Sequence, residues 1–136
     1  KRKNGIAFVL PVYNFLGSGK YDECCEDVTK GGMNMTVYQA IFTIVDKGNG
    51  YKVVEAAAKV GAKGATIVNA RGSGVHETSK LFNMEVEPEK EMVLILAKKE
   101  EANKIVATIR DELGIDQPGS GIIFVQEVHQ TIGIRE

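Results

Sequence analysis

Two strand–helix–strand units, laid end to end with a long aperiodic connection between them, restrict what this chain can fold into more than any other feature. Residues 37–45 (VYQAIFTIV) are dense in β-branched and aromatic side chains and read as a strand. Asp46 is a start signal for the helix that follows, and between residues 50 and 60 Tyr51, Val54, Ala57 and Ala58 share one helical face. Gly61 stands where a C-cap glycine belongs, and residues 64–70 (GATIVNA) read as a second strand. Residues 91–97 (EMVLILA) are close to fully apolar, as a central strand would be. Ala102, Ile105, Val106, Ile109 and Leu113 then trace the clearest amphipathic helix in the chain, and Gly114 ends it. Residues 122–125 (IIFV) complete the second unit, and 131–135 form a further short strand. Residues 71–89, between the units, show no periodicity, and a connection of that length inside a small domain is functional or disordered.

The order β-α-β, loop, β-α-β is the split βαβ, or ferredoxin-like, plan of the α+β class. It puts two helices on one face of a four-stranded antiparallel sheet. The other face is apolar and has to be hidden elsewhere, which calls for a symmetric oligomer.

Composition narrows the function. The chain has 136 residues, enough for one domain with an appendage, and is 43% hydrophobic with a net charge of −1. That charge argues against binding nucleic acid by phosphate neutralisation. No apolar run has the length of a membrane helix, so membrane insertion is not expected. The two cysteines, Cys24 and Cys25, are adjacent and cannot staple distant segments, which points to a reducing, cytoplasmic setting. Acidic neighbours surround them, but the spacing does not suit a tetrahedral metal site, and a solvated linker is the plainer reading. The chain starts at Lys1 without a methionine and reads as trimmed or excerpted.

Residues 4–17 (NGIAFVLPVYNFLG) echo residues 120–133 (SGIIFVQEVHQTIG). Gly5, Ile6, Phe8, Val9, Val12 and Gly17 match Gly121, Ile122, Phe124, Val125, Val128 and Gly133, six identities in fourteen without a gap. Residues 1–17 thus read as the closing strand of a preceding repeat, residues 18–36 as a linker, and residues 37–136 as the main domain. Chance similarity of two strands is the alternative. If residues 1–17 pair at all, their apolar alternation suits addition at a sheet edge.

The glycine-rich turn Gly119-Ser120-Gly121 feeds directly into the strand at residue 122. Glycines let a backbone approach a ligand closely, so their amides can converge on an anion, although a plain tight turn uses the same residues. No catalytic set accompanies it. His76 and His129 lie near no nucleophile motif, and no paired carboxylates or metal-ligand spacing are present, so an enzyme is not expected.

Taken together, GATIVNARGSG after the first helix, the long loop, the apolar strand, the amphipathic helix, the glycine turn, GIIFV and IGIR resemble the PII signalling family over residues 37–136. Order and spacing carry the resemblance, not any single motif. It implies a homotrimer packed sheet to sheet, with ATP or ADP bound in clefts between subunits. It also implies a mobile loop after the second strand that engages a target enzyme, transporter or transcription regulator. By position, Thr66 takes the place of a residue near the adenine. Gly72, Gly74, Val75 and His76 correspond to the start of the mobile loop, where phosphates are contacted and a metal-coordinating side chain is presented. Gly119, Ser120 and Gly121 match the phosphate-cradling turn, and Arg135 one of the basic residues at the chain's end. Backbone amides plus an arginine satisfy phosphate oxygens through charge-assisted bonds.

The chain departs from the family pattern in four ways. Ile122 stands where the family has lysine, and Gly133 where it has arginine. Each lost charge-assisted hydrogen bond is worth about 1.5–3 kcal/mol, enough to weaken triphosphate binding by orders of magnitude. The loop 71–89 is shorter than in the nitrogen-signalling members and has no tyrosine, which excludes nucleotidylation of a loop tyrosine. His76 replaces the usual metal-binding glutamine; it can ligate a divalent ion or simply face solvent. Two functions follow from this pattern: a nucleotide-sensing regulator of the nitrogen-regulation type, or a PII-like trimeric interaction module that has lost its ligand. A metal-tolerance trimer of the same fold would need a ligand cluster the sequence does not display.

Overall fold

Alternation of apolar residues along residues 38–46 decides the layering. In the computed structural model, which describes residues 5–11, 37–74, 79–81, 84–86 and 88–134, this stretch is strand β2. Strand β1 is Ala7–Val9 and β2 is Tyr38–Asp46, followed by helix α1 (Gly50–Lys59) and β3 (Thr66–Arg71). Two short strands, β4 (Ser79–Leu81) and β5 (Met84–Val86), precede β6 (Glu89–Lys98). Helix α2 (Lys99–Leu113), β7 (Ile122–Val128) and β8 (Gln130–Ile132) complete the chain.

The main sheet has the order β3-β6-β2-β7 and every pairing is antiparallel. This is the ferredoxin-like arrangement expected from the β-α-β repeat, with the apolar β6 in the interior. β6 pairs with β2 from Tyr38↔Lys98 to Asp46↔Lys90, and with β3 from Thr66↔Leu94 to Arg71↔Glu89. Because side chains alternate along a strand, Ile41, Thr43 and Val45 face the helices with Val93, Ile95 and Ala97. They are buried against Val53, Ala56 and Ala57 of α1 and Ala102, Ile105 and Ile109 of α2. The opposite face carries Phe42, Ile44, Met92 and Leu94, half-buried, with Ile122, Phe124 and Val68 exposed. Phe42 and Phe124, paired across β2 and β7, stack with ring centroids 4.8 Å apart.

Helix α1 departs from the sequence reading in two respects. Asp46 is the last residue of β2 rather than a helix start, and the N-cap is Asn49, whose side chain makes no capping bond. The buried stripe runs through Val53, Ala56 and Ala57, while Tyr51 is 55% exposed and Ala58 also faces outward. The helix is apolar over most of its circumference, so two adjacent stripes compete and packing on the sheet selects one. Helix α2 follows its periodicity closely. Glu100 and Glu101 complement the positive end of the helix dipole, and Gly114 closes the helix in the left-handed conformation at φ 61°.

Within 71–89 the connection is not featureless: β4 and β5 form their own antiparallel ladder, Ser79↔Val86 to Leu81↔Met84. At the other end of the chain, β8 pairs with β1, from Ala7↔Ile132 to Val9↔Gln130, and the His129 amide donates to the Val9 carbonyl at 2.9 Å. This ladder is a separate two-stranded sheet, not an added edge of the main one. Residues 12–36, with Cys24 and Cys25, lie outside the described residues, as do Val75, His76 and Arg135. Among the described residues no helix is long and apolar enough to cross a membrane.

Candidate functional site

The ends of β3 and α2 are brought together by the sheet. β3 reaches Arg71 opposite Glu89, and the Gly72 amide donates to the Pro88 carbonyl at 3.1 Å, pinning the start of the loop across the end of β6. After α2, the Gln117 amide donates to the Gly114 carbonyl at 2.9 Å and the Ser120 amide to the Gln117 carbonyl at 3.1 Å. Two successive turns thereby carry the chain to β7. Gly121 sits at φ 137°, and a Cβ there would lie 2.6 Å from the Ile44 carbonyl oxygen. Only glycine lets the backbone run this close to β2.

These two segments line one cavity of about 550 Å³. Gly72 and Gly74 come from one half of the fold, and Gly119 and Gly121 from the other. Ile44, Met92 and Ile122 of the open sheet face give it apolar walls, Lys90 supplies positive charge, and Arg71 lines its edge from a position in register with Glu89. Four of the residues singled out by sequence therefore meet. Ser120 is not part of the lining, and its amide is already engaged by Gln117.

Thr66 lies at the far end of β3, about 20 Å from Gly72 at the rise of an extended strand. It lines a second cavity of about 380 Å³ with Gly64, Leu94 and Leu96. Met92 and Leu94 are same-face neighbours on β6, so the two cavities adjoin along the open sheet face. Gly5, Ile6, Gly133 and Ile134 of the β1–β8 ribbon also line the second cavity.

Gly133 takes φ 90°, and a Cβ on it would fall 2.5 Å from the Gly5 carbonyl oxygen. The segment leading into β1, Gly5 and Ile6, thus occupies the space into which a larger residue at 133 would have to grow. The glycine that departs from the PII pattern is a packing requirement of the N-terminal ribbon. Nothing comparable constrains Ile122, which is 55% exposed.

Comparison with known proteins agrees with this geometry. The model of the family "Nitrogen regulatory protein P-II" matches residues 38–136. The chain belongs to the PII family. Among solved structures, its fold is similar to an Arabidopsis thaliana PII bound to citrate, at 25% identity and a TM-score of 0.52, covering 68% of this chain and 76% of that one. It is also similar to a B. subtilis GlnK–ATP complex at 22% identity, with a TM-score of 0.53 and coverage of 68% and 84%. A second B. subtilis GlnK structure matches at 21% identity, with a TM-score of 0.52 and coverage of 68% and 86%. The two GlnK likenesses speak to fold alone. Among curated proteins no match is found.

For a PII chain, sequence reasoning overlooks two things at this site. Arg71 and Lys90 line the glycine cavity, and only the β3–β6–β2 register places Lys90 there. The β1–β8 ribbon lines the neighbouring cavity; the echo between residues 4–17 and 120–133 marks residues 7–9 as strand-like without naming β8 as their partner. Among the described residues no three His, Cys, Asp or Glu side chains gather as a metal would need.

Proposed function

We propose that this PII-family protein is a signal-transduction regulator of the nitrogen-regulation type, acting in the cytoplasm as a homotrimer. It senses an adenine nucleotide, ATP or ADP, at clefts between subunits and signals through residues 71–89 to a target protein, an enzyme, transporter or transcription regulator. The carrying observation is the cavity in which Gly72 and Gly74 meet Gly119 and Gly121 beside Arg71 and Lys90. Backbone approach plus a cation is the chemistry a phosphate requires. A second cavity continues from it along the same sheet face to Thr66, which suits an elongated ligand with its base at Thr66. Similarity to a PII bound to citrate supports a small anionic ligand. In this reading Gly72, Gly74 and Val75 with Gly119, Ser120 and Gly121 surround the phosphates. Arg135 adds charge, and His76 is available to a divalent metal.

The open sheet face supports the trimer. Ile122, Phe124 and Val68 stand exposed there, and burying them against neighbouring subunits is worth roughly 25 cal/mol per Å² of apolar surface. Residues 37–136 form the PII-like domain, and residues 1–17 derive from the closing strand of a preceding repeat.

The test is thermal unfolding with millimolar ATP, ADP, AMP or a cyclic dinucleotide. A ligand at a hundred times its Kd stabilises the native state by about 2.7 kcal/mol and raises the midpoint. No shift with any of the four would overturn the sensing role. It would leave the second reading, a trimeric interaction module without a ligand, which Ile122 and the packing-enforced Gly133 favour.

A further inference from the structure

The glycine turn of this chain is followed by Ile122, so the strand that leaves the turn brings no cation to the cavity. A cation arrives there from another strand. Lys90 belongs to β6, pairs in register with Asp46 of β2 and Ala70 of β3, and lines the same cavity as Gly72, Gly121 and Ile122. Its two acidic neighbours point elsewhere. Glu89 is held by Lys47 at 2.7 Å, and Glu91 accepts from the amides of Gly48 and Gly50 at the start of α1. The pleat therefore turns Lys90 alone among these three charges to the open face.

The Lys90 side chain is only 11% exposed, an unusual depth for a lysine, and its ammonium meets the Asp46 carboxylate at 2.5 Å. Asp46 itself is 54% exposed. A sunken cation held by a solvated carboxylate is a charge that an anion in the cavity can draw on, with Asp46 as its competitor.

We infer that Lys90 is the phosphate-binding cation of this chain, supplied from β6 in place of the lysine missing after the glycine turn, and that Asp46 tempers its affinity. The inference rests on the nucleotide-sensing reading above and assigns it a specificity-determining residue.

Calorimetric titration of the full chain with ATP, and separately with inorganic phosphate, tests it on wild type, Lys90→Gln, Lys90→Arg and Asp46→Asn. ATP binding is expected to weaken at least about tenfold in Lys90→Gln and to stay within about threefold of wild type in Lys90→Arg. Asp46→Asn is expected to tighten it about threefold, because it removes one competing carboxylate from the ammonium. A purely structural Lys90–Asp46 pair would make Lys90→Gln and Asp46→Asn fall together, since each breaks the same contact. That outcome, or unchanged affinity in Lys90→Gln, overturns the inference while leaving the nucleotide reading intact. If wild type binds phosphate but not ATP, or binds neither, the nucleotide reading fails and the inference with it. Circular dichroism of each variant confirms that the fold compared is the same one.

Discussion

Glu91, near the start of β6, caps a helix it is far from in sequence. Its carboxylate Oε1 accepts the Gly48 amide at 2.5 Å and the Gly50 amide at 3.2 Å, standing in for the side-chain cap that Asn49 does not provide. A negative charge at this position also meets the positive end of the α1 dipole. Glu91→Ala is expected to lower stability by about 1–2 kcal/mol, read as a shift in the urea midpoint with an unchanged slope. Glu91→Gln should recover part of the loss, because it keeps an acceptor and gives up the charge.

Thr43 offers the opposite case. Its side chain is fully buried under the helices, and among the described residues its hydroxyl has no hydrogen-bond partner. Replacing an unsatisfied buried hydroxyl by a methyl group of similar size removes a desolvation cost of about 1–3 kcal/mol. Thr43→Val is therefore expected to raise the urea midpoint, and a lower one would mean that the hydroxyl is satisfied in solution.

Gly133→Arg puts back the residue the PII pattern has at this place. A side chain at φ 90°, with its Cβ 2.5 Å from the Gly5 carbonyl, has to displace β1. The expected result is loss of the β1–β8 ladder, seen as faster hydrogen exchange at the His129 amide, which otherwise donates to Val9. Full protection at His129 in the variant would show that the ribbon can move aside intact.

Self-association is read most directly at Phe124. This ring is 41% exposed and stacks on Phe42 in the open face of the sheet. A charge placed there cannot be buried against a neighbouring subunit without a partner. Phe124→Asp is expected to convert the proposed trimer to monomer in native mass spectrometry, whereas a trimer that survives would place the interface elsewhere.

The Lys47–Glu89 pair sets a small pH dependence. The Lys47 ammonium, bonded at 2.7 Å, holds the Glu89 carboxyl below its ordinary value of 4.5, and Glu89 in turn raises Lys47 above 10.5. The carboxylate's contribution is complete above pH 4.5 and is lost as pH falls through the lowered value. The lysine's share is complete below pH 10.5 and fades as pH rises through the raised value. Both groups are exposed, so the effect is modest. Glu89→Gln should flatten the acid limb of the stability profile in urea titrations, and an unaltered limb would assign acid sensitivity to other carboxylates.

Local patterns were enough to reach the fold. Alternation along residues 37–45, the 3.6-residue stripe from Ala102 to Leu113, and glycines at 61, 114, 119 and 121 each report on the few residues around them. These local readings agree on one ferredoxin-like topology, and the PII pattern follows from their order. Gly119 and Gly121 were legible for the same reason, since a left-handed or close-approach position leaves its mark on the residue itself, whereas Gly72 and Gly74 came from the PII pattern. What lay beyond local reach depended on register between strands distant in the chain. Which stripe of α1 is buried, the capping of α1 by Glu91, the arrival of Lys90 beside Gly121, and the closing of β1 on β8 follow from pairings no window of sequence contains. Gly133 shows the division best: as a letter it looks like a lost arginine, and only the Gly5 carbonyl above it explains the loss, because steric exclusion acts between neighbours in space.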